Sequence, residues 1–504
     1  MDWMSPMDAS FLHLEGPMTP MHVGGVSIFE GPAPQFERVS EMVAGKLGLV
    51  PRYRQKVRFV PLGLGRPVWV DDPHFNLHYH LRHTALPPPG SEDQLRRTAA
   101  RIFAQQLDRN KPLWEIWMVE GLSRNRWALL SKVHHCMVDG VAATDLMSVM
   151  FEDDTAPAAA GAWQPRPEPG DIEILARTLT RRTLNPSEQL RSVRAAFRAP
   201  RASLALAADL LRGMASAAQV VRPLERSTLV GPIGPHRTWC CARVRLSDVK
   251  ALRAARGGTV NDVVLTLVSG GLRDLLEARG ERVDGRTIRA LVPVSVRRPG
   301  ERGVYNNRVS AMFAELPVGV TDPAARLDAL RGQMDGLKRG KQAVAGDVLT
   351  SLSGFAPPML LALGARLAAR SPSLGLQTGV TNVPGPQQPL RTLGRRLLES
   401  FPFVPLIGHV RISIAIFSYD GGLFFGVTAD YDSSSDVEIL TTGIERSMTE
   451  LLALLPPAAS GRKRARPKRV PSQVGARTRQ RQQAAVPRVD ADRRTGASPT
   501  PRPI

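Results

Sequence analysis

One stretch of the sequence, residues 127–140, restricts the fold more than any other because it combines a strand, two adjacent histidines and a tight turn. It reads W-A-L-L-S-K-V-H-H-C-M-V-D-G. The alternation predicts a buried strand whose successive side chains point to opposite faces. One face is expected to carry Trp127, Leu129, Ser131, Val133 and His135, and the other Ala128, Leu130, Lys132 and His134. The two histidines should therefore point in opposite directions.

The end of this strand has the residue types that general-base catalysis requires. An imidazole at a strand end can take a proton from a substrate hydroxyl, because its ordinary pKa lies near working pH. Asp139 follows His135 by four positions, and Gly140 permits the tight backbone before a helical pattern. We assign the general-base role to His135 and a supporting role to His134, Asp139 and Gly140. The Asp139 carboxylate either fixes the turn or biases the imidazole tautomer, and the pattern does not choose between these.

Two other interpretations of this stretch are open. A histidine is often no more than a packed or surface residue. A metal site built from His134, His135 and Asp139 is the sharper rival, but adjacent strand residues that face opposite ways are poorly placed to share one ion. Cys136 lies inside the stretch, yet the neighbouring histidine should face away from it. We interpret Cys136 as a small packing residue.

Length and composition set the broad class. A chain of 504 residues is too long for one hydrophobic core, so two domains with appendages are expected. Three cysteines imply no disulfide framework, and the reducing cytoplasm is the expected location. No signal peptide is visible and no segment reaches the roughly 18 apolar residues that a membrane span needs. Contact with the inner membrane face or a lipid droplet would therefore be peripheral.

The formal net charge of +21 is concentrated at the C-terminus. Residues 461–504 contain thirteen Lys or Arg and two Asp, with almost no large apolar side chains. Such a segment cannot bury a core and is expected to be disordered. Three interpretations stay open: a weak tether to anionic lipid, a nucleic-acid contact, and a solvated tail with no specific role. No specific nucleic-acid partner is predicted.

The motif H-H-x-x-x-D-G, formed by residues 134–140, is similar to that of the CoA-dependent acyltransferase superfamily. That superfamily includes chloramphenicol acetyltransferase and the condensation domains of peptide synthetases. Further segments make the chain resemble the bacterial wax ester synthase/diacylglycerol acyltransferase family. They are P-M-H-V-G at 20–24, P-L-W at 112–114, N-D at 261–262 and T-N-V-P-G-P at 381–386. The resemblance runs in collinear order from residue 5 to about residue 455.

The resemblance implies an α/β fold with two chloramphenicol-acetyltransferase-like domains of mixed sheet and helices, which meet at a central cleft. We expect an N-terminal acyltransferase domain at 1–152 and a linker with an amphipathic helical crossover at 153–235. A C-terminal acyltransferase domain is expected at 236–456, followed by the basic tail at 457–504.

The resemblance also implies the reaction: transfer of a long-chain acyl group from acyl-CoA to the hydroxyl of diacylglycerol, which makes triacylglycerol. Acyl-CoA would be a co-substrate, and neither a cofactor nor a metal is expected. The alternatives are wax ester synthesis with long-chain alcohols, a condensation-type transfer to another alcohol or amine, an inactive lipid-binding protein and a nucleic-acid binder. Asn261 opens a helix, where it either caps the helix or helps to orient substrate and stabilise an oxyanion.

Three local predictions concern the elements around this site. Alternating residues 76–81 predict a half-exposed strand. The sequence Y-D-G-G at 419–422 predicts the turn of a hairpin. Asp436 is expected to cap the last helix.

Overall fold

The computed structural model of the chain describes residues 1–137, 163–184, 225–295, 309–339 and 375–455. The described strands are β1 (Asp2–Trp3), β2 (His22–Glu30), β3 (Gln55–Arg58), β4 (Val68–Asp71), β5 (Leu81–Ala85), β6 (Trp114–Leu122), β7 (Arg126–His134), β8 (Arg237–Arg245), β9 (Ile288–Ser295), β10 (Val309–Leu316), β11 (Thr378–Pro384), β12 (Arg391–Thr392), β13 (Arg395–Phe403), β14 (Ile412–Tyr419) and β15 (Gly422–Asp430). The described helices are α1 (Pro6–Leu14), α2 (Phe36–Lys46), α3 (Leu77–His80), α4 (Glu92–Ala104), α5 (Asp171–Leu184), α6 (Leu246–Arg256), α7 (Val260–Ala278), α8 (Pro323–Arg339) and α9 (Glu438–Ala453).

Two six-stranded mixed sheets dominate the fold. The first has the order β12-β13-β2-β7-β6-β5, in which β5 and β6 run parallel and the other neighbours antiparallel. Strands β1, β4 and β3 form a separate small antiparallel sheet. The second large sheet has the order β10-β9-β11-β14-β15-β8, with parallel pairing on both sides of β11. The predicted α/β class with mixed sheets is confirmed.

The second sheet is covered on one face by helices α7, α8 and α9, whose apolar residues form one core with it. Helices α7 and α9 cross closely where Gly271 has no side chain. A Cβ added there would lie 2.5 Å from the carbonyl oxygen of Leu440. The predicted hairpin is confirmed: β14 and β15 are joined by Asp420 and Gly421, with φ of 42° and 79°. Two positive φ values in a two-residue loop match the right-handed twist of the strands.

The first sheet includes residues from far along the chain. Strands β12 and β13 belong by sequence to the predicted C-terminal domain, yet β13 pairs with β2 along Leu397–Phe403. Strand β15 crosses this strand so closely that a Cβ at Gly426 would lie 1.8 Å from the carbonyl oxygen of Pro402. The predicted domain boundaries at 152, 235 and 456 stay predictions, and the pairing shows that residues 391–403 complete the first sheet.

Side chains also join the two halves. The Phe103 and Phe403 rings stack with centroids 4.0 Å apart. Arg243 on β8 donates to both carboxylate oxygens of Glu399, at 2.6 and 2.8 Å, and to Glu92 at 2.9 Å. These contacts tie β8 to β13 and to the start of α4.

Two local predictions were wrong. Residues 76–81 are not a strand throughout, because the Asn76 side chain accepts the His78 amide at 3.0 Å and starts helix α3. Only β5, which follows it, is extended. Asp436 does not cap α9, whose N-cap is Val437 and has no side-chain cap. The Asp436 carboxylate instead accepts hydrogen bonds from Arg279 at 2.8 and 2.6 Å. This ion pair with the residue that follows α7 keeps the carboxylate away from the amides of α9.

Among the described residues, no helix is both long enough and apolar enough to cross a membrane. The basic tail and most of the predicted helical crossover fall outside the described residues.

Candidate active site

A cavity of about 300 Å³ lies between the two large sheets. Strands β2, β6 and β7 of the first sheet contribute side chains to its wall, as do β9, β11 and β14 of the second, and β13 lies along it. The wall is almost entirely apolar. Its few polar side chains are Tyr53, Ser131, His135, Thr381, Ser400 and Ser413. An apolar space with a few polar groups is typical of a site for a lipid-like ligand.

Strand β7 presents one face to this cavity. Leu129, Ser131, Val133 and His135 line it, whereas Leu130, Lys132 and His134 are fully buried on the opposite face. The predicted alternation and the opposite orientation of the two histidines are both confirmed.

The backbone turns at His135. Strand β7 ends at His134, and residues His135–Met137 form a 3-10 turn. The His135 amide donates to the carbonyl oxygen of Met21 at 2.8 Å, which continues the pairing of β7 with the chain before β2. The imidazole of His135 stacks on the ring of Phe11, with centroids 3.9 Å apart and planes 20° from parallel. The ring therefore reaches the cavity wall with one face covered by an aromatic side chain.

Phe11 comes from α1, a helix whose start is encoded locally. The Ser5 hydroxyl accepts the Asp8 amide at 3.1 Å, and Pro6 occupies the first helical turn. The helix ends at Leu14, and Glu15 is extended.

On the other face of β7, His134 is held in one tautomer. Its Nδ1 accepts the Cys136 amide at 3.1 Å, so the ring proton is on Nε2. That nitrogen lies 3.5 Å from Glu15 Oε1, a distance that allows electrostatic attraction but is too long for a strong hydrogen bond.

Glu15 is buried, with its side chain 3% exposed. Its Oε1 accepts the Met21 amide at 3.1 Å, and its Oε2 accepts from Arg109 Nε and Nη2 at 2.9 and 2.7 Å. Burial would raise the pKa of Glu15, but its contacts with His134 and Arg109 outweigh burial and hold the pKa at about 2. The carboxylate is therefore a fixed negative charge.

Two further buried groups lie near His134. Lys132 donates to the carbonyl oxygens of Ile102 and Gln105 at 3.1 and 2.9 Å, at the C-terminal end of α4, and lies 3.3 Å from Glu115. Burial lowers the pKa of Lys132. The fully buried His22 shares the Gln105 oxygen at 2.9 Å, and burial, aided by the Lys132 charge, lowers its pKa to about 3.

The remaining predicted site residues are placed as follows. Asp139 and Gly140 lie outside the described residues. Cys136 is buried in a small apolar cluster, which confirms its packing role, and burial raises the pKa of its thiol. In the first turn of α7, Thr259 and Asp262 form a capping box, so Asp262 is the residue of the N-D pair that caps this helix. Asn261 is not on the described cavity wall. Its Oδ1 lies 3.5 Å from Nδ2 of Asn382 on β11.

Within the described ranges, no three His, Cys, Asp or Glu side chains are grouped so that they could hold a metal ion.

Sequence reasoning missed Phe11 and Glu15 as neighbours of the histidines. It placed Lys132 on the same face as His134 but did not identify its partners, although a charged residue within a buried strand needs one. The stacking of Phe11 and the position of Glu15 gave no local signal, since both depend on contacts about 120 residues apart in sequence.

The chain matches two family models. Residues 4–264 match the wax ester synthase/diacylglycerol acyltransferase catalytic domain, and residues 305–452 match the C-terminal domain of the same family. The chain is 36% identical over 459 residues to the probable diacylglycerol O-acyltransferase tgs1 of Mycobacterium tuberculosis, covering 90% of this chain and 96% of that protein.

Solved structures show the same fold. The wax ester synthase/diacylglycerol acyltransferase from Marinobacter aquaeolei VT8 matches with a TM-score of 0.62 and 26% identity, over 89% of this chain and 98% of that one. The first condensation domain of the calcium-dependent antibiotic synthetase matches with a TM-score of 0.56 and 18% identity, over 90% of this chain and 96% of that one. The second likeness concerns the fold alone.

The matched catalytic and C-terminal domains define the chain as an acyltransferase. Within that class, the chain belongs to the wax ester synthase/diacylglycerol acyltransferase family. The resemblance predicted from the sequence motifs is confirmed.

Proposed function

We propose that this chain transfers a long-chain acyl group from acyl-CoA to the free hydroxyl of diacylglycerol, with His135 as the general base. The main support is the position of His135 on the wall of an apolar cavity that both sheets form. Among the described residues of that wall, only His135 and Tyr53 have titratable side chains. An apolar chain gains about 0.8 kcal/mol for each methylene it buries, so such a cavity favours long acyl groups.

The proposed chemistry needs one imidazole. His135 takes the hydroxyl proton while the alcohol oxygen attacks the thioester carbonyl carbon. The tetrahedral intermediate then collapses, the carbon–sulfur bond breaks, and the imidazolium returns the proton to the leaving CoA thiolate. The products are an ester and free CoA, and the base is regenerated. General-base assistance of this kind contributes about 100-fold to 10,000-fold.

The supporting residues have different roles in this proposal. His134 fixes the end of β7 from the opposite face, and Asp139 and Gly140 keep the supporting role predicted from the sequence. Asn261 keeps its proposed role in orienting substrate, but its contact with Asn382 favours an indirect action through β11. Acyl-CoA is the acyl donor and acts as a co-substrate, with no cofactor or metal proposed.

Diacylglycerol is proposed as the acceptor because the curated relative with 36% identity is named as a diacylglycerol O-acyltransferase. Long-chain alcohols are the second candidate, favoured by the Marinobacter relative, whose name also includes wax ester synthase. Both acceptors are water-insoluble. We therefore propose a cytoplasmic enzyme with peripheral contact at the inner membrane face or a lipid droplet.

Labelled palmitoyl-CoA incubated with the purified chain and, separately, diolein, hexadecanol and hexadecylamine tests the proposal. We expect triacylglycerol as the main product. His135→Ala should lower turnover by at least about 100-fold, whereas His78→Ala, at an exposed histidine, should leave it unchanged. Wild-type activity in the His135 variant would refute the general-base role, and amide as the main product would indicate a condensation-type acyltransferase.

A further inference from the structure

The segment before β2 makes three contacts that converge on the two histidines from both faces of β7. Phe11 stacks on the imidazole of His135 at 3.9 Å. The Met21 carbonyl accepts the His135 amide at 2.8 Å. Glu15 accepts the Met21 amide at 3.1 Å and faces His134 Nε2 at 3.5 Å. We name residues 6–21 the histidine clamp.

We propose that Phe11 and Glu15 are positioning residues for the base, and that the histidine clamp sets the plane and depth of the His135 ring in the cavity. This inference rests on the proposed function of His135. It assigns roles to two residues outside the H-H-x-x-x-D-G motif.

Phe11 acts on the ring directly. The plane of an imidazole is set by its χ2 torsion, whose energy well is broad. A parallel aromatic ring at van der Waals distance restricts the range of χ2, because rotation of the imidazole would bring its edge into steric conflict with the phenyl face. Phe11 also lines the cavity, so it covers one ring face and leaves the edge to the substrate.

Glu15 acts on the backbone through two hydrogen bonds in series. Its carboxylate holds the Met21 amide, and the Met21 carbonyl holds the His135 amide. Arg109 anchors the carboxylate through Nε and Nη2, and it also donates to the Leu12 carbonyl of α1 at 3.1 Å. Loss of the carboxylate would free the Met21 peptide and let the start of the turn move. A displacement of about 1 Å at a catalytic group costs on the order of 100-fold in rate.

The first test replaces the stacking ring. Phe11→Leu keeps an apolar side chain but removes the parallel ring, and Phe11→Tyr keeps the ring. We expect Phe11→Leu to lower kcat by about tenfold to a hundredfold while KM for palmitoyl-CoA changes less than about threefold. Phe11→Tyr should recover kcat to within about threefold of wild type. Phe36→Leu is the matched control, because Phe36 stacks on His83 at 5.2 Å away from the cavity.

The second test addresses Glu15 and does not depend on the folding of the Phe11 variants. Glu15→Gln keeps an oxygen for the Met21 amide, whereas Glu15→Ala removes it. We expect the alanine variant to lose about tenfold more kcat than the glutamine variant. Equal losses of kcat in the two variants would overturn the role of Glu15 in holding the Met21 amide.

A spectroscopic readout separates positioning from general stability. In protein carrying ¹³Cε1-labelled histidine, the His135 resonance is assigned by its loss in His135→Ala. A stacked phenyl ring shifts it upfield, so it should move downfield in Phe11→Leu and stay in place in Phe36→Leu. An unmoved resonance, or a folded Phe11→Leu enzyme with wild-type kcat, would overturn the role of Phe11. If His135→Ala itself retains activity, the proposed function fails instead, so the two failures are distinguishable.

Discussion

The buried imidazole of His22 should make the protein lose stability in mild acid. Its pKa is held at about 3 in the fold, whereas a solvated histidine titrates near 6.5. Burial is the main cause, and the charge of Lys132 adds to it. Below pH 6.5 the unfolded chain therefore binds a proton at this position that the folded chain does not accept. The stability that neutral His22 contributes is complete above pH 6.5 and is lost as the pH falls from 6.5 towards 3.

The magnitude follows from the two pKa values. At pH 5 the unfolded state gains about 2 kcal/mol from protonation of His22, while the folded state gains almost nothing. At pH 7.5 both contributions are close to zero. The His22 imidazole faces Glu15 and His134 as well as Lys132, and the Glu15 carboxylate opposes the lowering of its pKa.

His22→Gln isolates this contribution, because glutamine does not titrate and keeps a donor for the Gln105 carbonyl. The free energy of unfolding is measured by urea denaturation at pH 7.5 and pH 5, in wild type and variant. We expect wild type to lose about 2 kcal/mol more than the variant between the two values. His78→Gln, at an exposed position, serves as the control. Parallel losses in wild type and His22→Gln would refute the assignment of a strongly shifted pKa.

Three further predictions concern packing and the cavity. Lys132→Met removes the ammonium group that contacts the Glu115 carboxylate and the two carbonyl oxygens at the end of α4. We expect it to lower the free energy of unfolding by about 3 to 5 kcal/mol. Gly426→Ala places a Cβ 1.8 Å from a carbonyl oxygen of β13, so we expect little folded protein in expression trials. Gly336→Ala is the control, because a Cβ there meets nothing within 4 Å. Its free energy of unfolding should lie within about 1 kcal/mol of wild type. Gly379→Val adds a side chain to the cavity wall where a Cβ meets only Ser413, at 3.5 Å. It should raise the ratio of octanoyl-CoA to palmitoyl-CoA transfer by about tenfold, and an unchanged ratio would show that the acyl chain lies elsewhere.

The elements that sequence predicted well are those whose signal is local. The two faces of β7 follow from the period of a strand, so His135 and His134 were assigned to opposite sides without any tertiary information. The β14–β15 turn depends on neighbouring residues in the sequence, so its pattern was sufficient. The family resemblance added the fold class and the reaction class.

The elements that sequence did not predict depend on partners far along the chain. Asp436 has the residue type of a helix cap, but Arg279 competes for its carboxylate and the ion pair prevails. The pairing of β13 with β2 joins residues about 370 positions apart, and no local pattern indicates it. Residues 76–81 alternate as a strand does, but the Asn76 side chain accepts a backbone amide and starts a helical turn.

Strand β2 connects these observations to the site. It lies between β7, whose last residue precedes the base, and β13, which comes from the second half of the chain. The residue that precedes it, Met21, holds the His135 amide, and a Cβ at Gly24 would lie 1.9 Å from the Ser131 carbonyl oxygen, so β2 and β7 approach each other closely. A displacement of β13 would therefore move β2, and with it the carbonyl that holds the base. Because β13 and β14 also form part of the cavity wall, the same strand pairing that joins the two halves fixes both the base and the space in which the acyl chain is proposed to lie.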